Sequence, residues 1–218
     1  MAVPEGLEPQ AAMPVHGRNG FRPGHDLAFG EFRVDQVSRS SPRTSRESHA
    51  IGDGARYRLG GETADQRLRF RVREGAGQPW RAWCGQSAAQ ERSTLPVVGE
   101  ITHGYRASLS CTVVPEADSA ALWHLDLAEG RGAAGTLQGG GASFQVVSTE
   151  RMDGSRIRTA DATGYVFRLD GRAVAAVDVL NGGAVRMDPS LPAEQRAAIA
   201  ASMVALMLRA DLERELDG

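Results

Sequence analysis

The sequence predicts a mostly β domain, an antiparallel meander that closes into a barrel or sandwich, with one buried C-terminal α-helix at about 192–215. Three observations support this prediction: segments in which apolar and polar residues alternate, turn dipeptides roughly every 10 residues, and one late segment that is apolar on all sides. The chain has 218 residues, 41% of them apolar and 24% charged, which fits one large globular domain.

The N-terminal residues 1–14 are predicted to be a disordered tail, because three prolines are interleaved with small and acidic residues. No secretory signal is recognisable there, since the segment lacks a basic and an apolar region. Residues 15–218 are then expected to form a single β-rich domain. Its first strand is predicted within Phe29–Val37, and Ser38–Gly54 is expected to be a polar loop.

The strand pattern is strongest at Gln66–Arg73, where Leu68, Phe70 and Val72 alternate with four arginines. Such alternation is typical of a strand with one buried and one exposed face. Asp153-Gly154, Asp170-Gly171 and Asn181-Gly182 suit tight hairpin turns. Glycines at 130 and 139–141 indicate two further reversals. Six more strands are predicted, at Trp80–Cys84, Tyr105–Val114, Leu122–Leu127, Ser143–Ser148, Tyr165–Leu169 and Ala173–Val179.

The C-terminal segment changes to helical character. Asp188–Pro192 ends the last strand, and Pro192 suits the first turn of a helix. Ala197–Leu208 is apolar except for Ser202. A helix of that length spans about 18 Å, too short to cross a bilayer, so we expect the barrel to enclose it.

The absence of lysine excludes several catalytic mechanisms. All 25 are arginine and none is lysine, a usage that a GC-rich genome would explain. Mechanisms that need a lysine amine are therefore excluded, including the phosphate-binding P-loop lysine and the Schiff-base lysine. The net charge of −2 gives no reason to expect nucleic acid as a partner.

Four arginines, Arg67, Arg69, Arg71 and Arg73, share one face of the predicted strand. They are a candidate anion-binding site, because the guanidinium group suits bidentate contacts to oxyanions. The alternative, which we favour here, is a solvated face whose neighbouring strands carry Asp and Glu.

The two cysteines, Cys84 and Cys111, lie on two predicted strands. They are expected to form a disulfide, which would place the protein outside the cytoplasm. The alternative is a pair of free thiols in the core.

No catalytic, metal or cofactor site is predicted. The five histidines lack metal-ligand spacing, and no Gly-x-Ser-x-Gly elbow or dinucleotide fingerprint is present. On a strand, His124 and Asp126 point to the same side, and we expect surface hydrogen bonds there rather than catalysis.

Two resemblances concern limited parts of the chain. Residues 15–20 and 27–32 resemble the mature start of uncharacterised bacterial envelope lipoproteins, although the lipid-modified cysteine of that class is missing here. The short strands ending in Gly164–Phe167 and Ala173–Val179, followed by the helix at 197–208, are similar in architecture to Tubby-like barrels. That resemblance implies a closed barrel around a hydrophobic C-terminal helix, and some Tubby-like proteins contact membrane lipids.

The expected function is that of a non-enzymatic cell-envelope accessory or binding protein, periplasmic or anchored as a lipoprotein. A cytoplasmic location is the alternative. Two other functions stay open: a hydrolase of unrecognised type that uses His124 or His103, and an anion- or lipid-headgroup-binding module that uses the arginine-rich strand. The expected partners are an envelope protein or anionic lipid head groups.

Overall fold

The computed structural model describes residues 1–8, 10–18, 26–51, 57–95, 99–117, 121–130, 132–155, 158–159 and 161–216. These residues form thirteen β-strands and two helices. The strands are β1 (Met13–Pro14), β2 (Leu27–Phe29), β3 (Phe32–Arg39), β4 (Arg43–Ile51), β5 (Tyr57–Glu74), β6 (Trp80–Leu95), β7 (Gly99–Pro115), β8 (Trp123–Gly130), β9 (Gly132–Gly139), β10 (Ala142–Thr149), β11 (Gly164–Leu169), β12 (Arg172–Asp178) and β13 (Ala184–Met187); the helices are α1 (Ala193–Leu208) and α2 (Leu212–Leu216).

The strands form one antiparallel sheet that curls into a nearly closed barrel. Its order is β1-β13-β12-β11-β10-β9-β8-β7-β6-β5-β3-β2, with β4 paired to β5 outside this path. The two ends of the sheet meet where His16 and Ala28 exchange backbone hydrogen bonds of 2.8 and 3.0 Å. The predicted mostly β meander that closes into a barrel is therefore confirmed.

The alternation along β5 places its apolar residues inside the barrel. Leu68, Phe70 and Val72 are 5%, 3% and 1% exposed, whereas the arginines between them point outward. The same inward pattern continues on β6 with Trp80, Ala82 and Cys84. Because a strand alternates its side chains between two faces, the sequence pattern alone was sufficient to orient this wall of the barrel.

Helix α1 occupies the interior of the barrel, and the predicted buried helix is confirmed. Twelve consecutive residues, Ala197–Leu208, are buried, none more than 5% exposed. Even the hydroxyl of Ser202 is satisfied within the helix, because it donates to the carbonyl of Ala198 at 2.9 Å. A helix buried on every side has no polar face, which explains the absence of amphipathic periodicity in this segment.

Both ends of α1 are anchored to the barrel wall. Near its N-terminus, the indole of Trp123 donates to the carboxylate of Glu194 at 2.8 Å. At its C-terminus, Arg18 donates to the carbonyl of Met207 and Arg39 to that of Leu208, each at 3.2 Å. The last carbonyls of a helix lack partners within the helix, so these guanidinium groups satisfy them and complement the negative end of the dipole.

Three strands extend beyond the barrel. β5, β6 and β7 have 18, 16 and 17 residues, and β4 pairs with the outer part of β5. Helix α2 packs on this extension with Leu212 and Leu216 against a surface of small residues, Ala64, Ala88 and Ala107.

The structure has strands in two segments where the sequence predicted a loop or reversals. β4 lies within the predicted polar loop; its described side chains, residues 43–50, are all exposed, so no buried face produced an alternating pattern. β9 lies between two predicted reversals, and its glycines interrupt the alternation that would have predicted a strand. Residues 1–14 include β1 and the buried Leu7, 1% exposed, which covers the outward apolar side chains of β11 and β12; the assignment of these residues to a disordered tail stays a prediction. The assignment of 15–218 to a single domain stays a prediction.

Candidate functional site

The four arginines predicted as an anion site lie side by side on the exterior of β5. Arg67, Arg69 and Arg73 are exposed, and Arg71 is half-buried. Cross-strand pairing adds three neighbours: Arg33 of β3 opposite Arg73, Arg81 of β6 opposite Arg71, and Trp83 of β6 opposite Arg69. We call the outward surface formed by these seven residues the arginine face.

Carboxylates neutralise only part of the arginine face. Arg71 donates two hydrogen bonds of 2.7 Å to Asp35, and these bonds raise the pKa of Arg71. Arg81 donates to Glu116 at 2.6 Å. Two of the six arginines therefore have acidic partners, Asp35 on β3 and Glu116 directly after β7, as expected for a solvated face.

The remaining four arginines of this face have no acidic partner among the described residues. The side chains of Arg67, Arg69 and Arg73 form no hydrogen bond or ion pair with any residue of the described ranges. Within the described part of the chain, Arg33 donates to the carbonyls of Gly30 and Phe32, at 3.1 Å each, and to no carboxylate. Six arginines thus face two carboxylates. Asp65, the preceding outward residue on β5, bounds this positive surface.

Trp83 places a large exposed aromatic group among these charges. Its side chain is 40% exposed, and it lies directly opposite Arg69. Tryptophan combines an apolar ring with a hydrogen-bond donor and is enriched at interfaces that are partly apolar and partly wet. The arginine face therefore joins unpaired cations to an amphipathic ring.

The predicted disulfide is present directly behind Trp83. Cys84 and Cys111 face each other across β6 and β7 with a Cα–Cα distance of 4.1 Å and a S–S distance of 2.09 Å. Both side chains point into the barrel and are 6% and 1% exposed. The alternative of two free core thiols does not hold in this structure.

The histidines considered for catalysis form ordinary cross-strand hydrogen bonds. His124 contacts the hydroxyl of Thr112 at 3.4 Å, and Asp126 accepts separately from Ser110 at 2.7 Å. His103 contacts the hydroxyl of Ser93 at 2.6 Å. Neither imidazole contacts a carboxylate within the part of the chain that the structure describes. Among those same residues, no group of three or more His, Cys, Asp or Glu is arranged to hold a metal ion.

A half-open cavity of about 390 Å³, not foreseen from the sequence, lies at the barrel end where α1 finishes. Tyr165 lines it and is 0% exposed, yet its hydroxyl has no hydrogen-bond partner among the described residues. Burial raises the pKa of this phenol. Since Tyr165 lies in an apolar strand, its sequence context indicates only a core residue.

Arg209 closes one side of this cavity. Its guanidinium lies 5.4 Å from the centre of the Tyr165 ring and forms an ion pair with Glu129. Burial lowers the pKa of Arg209. The following turn is held by Gln86, whose amide bonds both the carbonyl and the N–H of Ala210, at 2.7 and 3.1 Å. The segment that joins α1 to α2 is therefore held to β6.

No protein-family model matches the chain, and searches of curated proteins and of solved structures also found no match. The lipoprotein and Tubby-like resemblances therefore gain no support beyond the barrel architecture itself. Within the described ranges, no helix is both long and apolar enough to cross a membrane.

Proposed function

We propose that this protein is a non-enzymatic binding protein of the cell envelope, and that its arginine face holds anionic, phosphate-bearing groups such as lipid head groups. The observation that carries the proposal is the absence of acidic partners for the exposed Arg67, Arg69 and Arg73 among the described residues. A purely structural face would be expected to balance these charges, as Asp35 balances Arg71.

The spacing of the arginines favours a membrane surface with many head groups as the ligand, rather than a single small anion. Consecutive outward residues of a strand are about 6.6 Å apart, so Arg67 and Arg73 are separated by roughly 20 Å. One phosphate cannot bridge that distance, whereas several head groups in a membrane surface can each receive a guanidinium. Trp83 supports the same conclusion, because its ring suits the boundary between head groups and acyl chains.

The disulfide supports an envelope location. Disulfides persist in oxidising compartments such as the periplasm and are rare in the cytosol of most organisms. The Cys84–Cys111 bond is inaccessible inside the barrel, so a catalytic redox role is not favoured.

The hydrolase alternative has narrower support. Among the described residues, the contact between the Ser93 hydroxyl and the His103 imidazole is shorter than that between Thr112 and His124, at 2.6 against 3.4 Å, and more closely resembles a nucleophile and its base. Ser93 is 8% exposed, and no described carboxylate orients His103, so the arrangement lacks the third member that would fix the imidazole.

Vesicle binding tests the proposal. Full-length protein would be titrated with vesicles of phosphatidylcholine alone and with vesicles containing phosphatidylglycerol. The triple variant R67Q/R69Q/R73Q is compared with R106Q/R151Q/R214Q, which removes the same charge from exposed positions elsewhere. An arginine near an anionic membrane contributes about 1 kcal/mol, so the first variant is expected to bind roughly 100-fold more weakly.

Three results support the proposal together: selective binding to anionic vesicles, loss in the first triple variant, and retention in the second. Binding should also weaken as salt increases. Equal affinity for both vesicle types, or equal loss in both triple variants, would contradict it. Trp83→Ala then separates the aromatic contribution, because this change leaves the charge of the arginine face unaltered.

A further inference from the structure

We infer that the arginine face recognises the phosphorylated saccharide head group of a glycolipid, and that the sugar ring lies on Trp83 and the adjacent Gly85. This inference rests on the proposed function and specifies the class of head group. Two observations beyond the arginines carry it. One is a glycine inside β6 that neither its conformation nor its packing requires, and the other is a change from positive to hydroxyl-bearing side chains across Trp83.

Gly85 leaves an open surface beside the Trp83 ring. It is the next outward residue of β6 and lies between Arg67 of β5 and Ser110 of β7. Its backbone does not adopt a positive φ, and a Cβ at this position would meet no described atom within 4 Å. A glycine inside a strand weakens the strand and often marks a place where a ligand or another backbone approaches closely. Because no described backbone is close here, we assign the space to a ligand.

The side chains on the two sides of Trp83 and Gly85 differ in charge. On the β5 side, Arg67 and Arg69 are exposed and have no acidic partner among the described residues. A ligand that bridges the two sides therefore needs an anionic group at one end and hydroxyl groups at the other. The outward residues on the β7 and β8 side carry hydroxyl, imidazole and carboxylate groups: Ser110, Thr112, His124 and Asp126.

Asp126 favours hydroxyl groups over a second anion. Its carboxylate accepts a hydrogen bond from the Ser110 hydroxyl at 2.7 Å and forms no ion pair with any cation of the described ranges. An ionised carboxylate has acceptor sites for several donors, so it can also receive sugar hydroxyls, whereas it repels a phosphate. Thr112 and His124, whose polar atoms are 3.4 Å apart, add further hydrogen-bonding groups beside it.

The distances suit one sugar ring with its phosphate. Adjacent strands are about 4.8 Å apart, so the outward side chains of β5 and β7 are separated by roughly 10 Å across Trp83. The indole is 40% exposed, and its negative ring face attracts the C–H groups of a pyranose ring. The phosphate then receives charge-assisted hydrogen bonds from Arg67 or Arg69. The ring hydroxyls meet Ser110 and Asp126 on the other side.

Vesicles whose head groups differ in one feature test the inference. Full-length protein is titrated with vesicles containing lipid A, a phosphorylated glucosamine disaccharide with acyl chains, and with phosphatidylglycerol vesicles of equal anionic charge. Vesicles of a neutral glucosyl diacylglycerol supply a saccharide without phosphate. Gly85→Ile fills the open surface with a stiff side chain that favours strands.

Gly61→Ile is the matched control for Gly85→Ile. Gly61 of β5 is likewise exposed, lacks a positive φ and has no described atom within 4 Å of a Cβ. It lies roughly 20 Å along β5 from Arg67, outside the inferred site. Both variants are expected to keep the thermal midpoint of the wild type, because neither glycine is required by its backbone conformation or by a close neighbour.

Lipid A vesicles are expected to bind about tenfold more tightly than phosphatidylglycerol vesicles, and the neutral glycolipid more weakly than either. Gly85→Ile should reduce the preference for lipid A to less than about twofold, whereas Gly61→Ile should retain it. Equal affinity for lipid A and phosphatidylglycerol would overturn the inference. A preference that persists in Gly85→Ile, or an equal loss in both isoleucine variants, would overturn it as well.

Failure of this inference is distinguishable from failure of the proposed function. If phosphatidylglycerol vesicles bind through Arg67, Arg69 and Arg73 while lipid A gives no preference, the arginine face binds anionic head groups without recognising a saccharide. If no anionic vesicle binds, both proposals fail.

Discussion

Replacing Leu206 by alanine tests whether the enclosed helix is the centre of the fold. Leu206 is 1% exposed within α1, and the helix is surrounded by the barrel wall. A continuous sheet collapses poorly around a deleted side chain, so the free energy of unfolding should fall by about 2–5 kcal/mol. Leu59→Ala is the matched control, because Leu59 of β5 is 52% exposed and its truncation should change the free energy by less than about 0.5 kcal/mol.

Urea unfolding monitored by tryptophan fluorescence provides the measurement. Trp80 and Trp123 are buried at 4% and 0% exposure, so their emission reports loss of the barrel core. For a chain of this size the midpoint of thermal unfolding should fall by about 4–20 °C in Leu206→Ala. If both leucine variants unfold within about 0.5 kcal/mol of the wild type, α1 is peripheral and is not the centre of the fold.

Three further predictions concern the wall and its turns. Replacing Cys84 and Cys111 by alanine opens a link across 27 residues and should destabilise the protein by about 3.5 kcal/mol in urea unfolding; an unchanged midpoint would argue against the bond. Hydrogen bonds from Ser190 hold the pKa of Asp188 below 3.8, so the ionised carboxylate stabilises the folded protein. Asp188→Asn should therefore lower the free energy of unfolding at pH 6, and the difference from the wild type should vanish as the pH falls from 3.8 through the lowered pKa. A difference that persists at lower pH would contradict this. A Cβ at Gly135 would overlap a carbonyl of β8, so Gly135→Ala should cost about 1–3 kcal/mol in thermal unfolding, and wild-type stability would show that the strands are not this close.

The barrel and its helix were predictable because their signals are local. The alternation at Leu68–Val72 directly reports a strand with one buried face. The apolar stretch of α1 is too short for a bilayer and too apolar for a surface. By contrast, β4 carries no such signal because its described side chains are exposed, and β9 was hidden by glycines that permit close contact with β8.

The candidate sites were less predictable because they depend on partners from distant parts of the chain. The sequence places Arg71 and Arg67 on one face, but only the register between β3 and β5 shows that Asp35 reaches the first and not the second. Likewise, Tyr165 becomes unusual only when the surrounding wall is known to lack a partner among the described residues. The partners of these side chains depend on how the strands pair, and the alternation of apolar and polar residues along the sequence does not specify that pairing.

Whether the arginine face contacts anionic membranes can be measured by site-resolved arginine labelling with phenylglyoxal, read by mass spectrometry with and without anionic vesicles. We expect that vesicles protect Arg67, Arg69 and Arg73, while Arg106 and Arg214, whose side chains are 78% and 85% exposed, react at unchanged rates. If the three arginines of the face react equally with and without vesicles, or if all five are protected alike, the arginine face is not the binding surface.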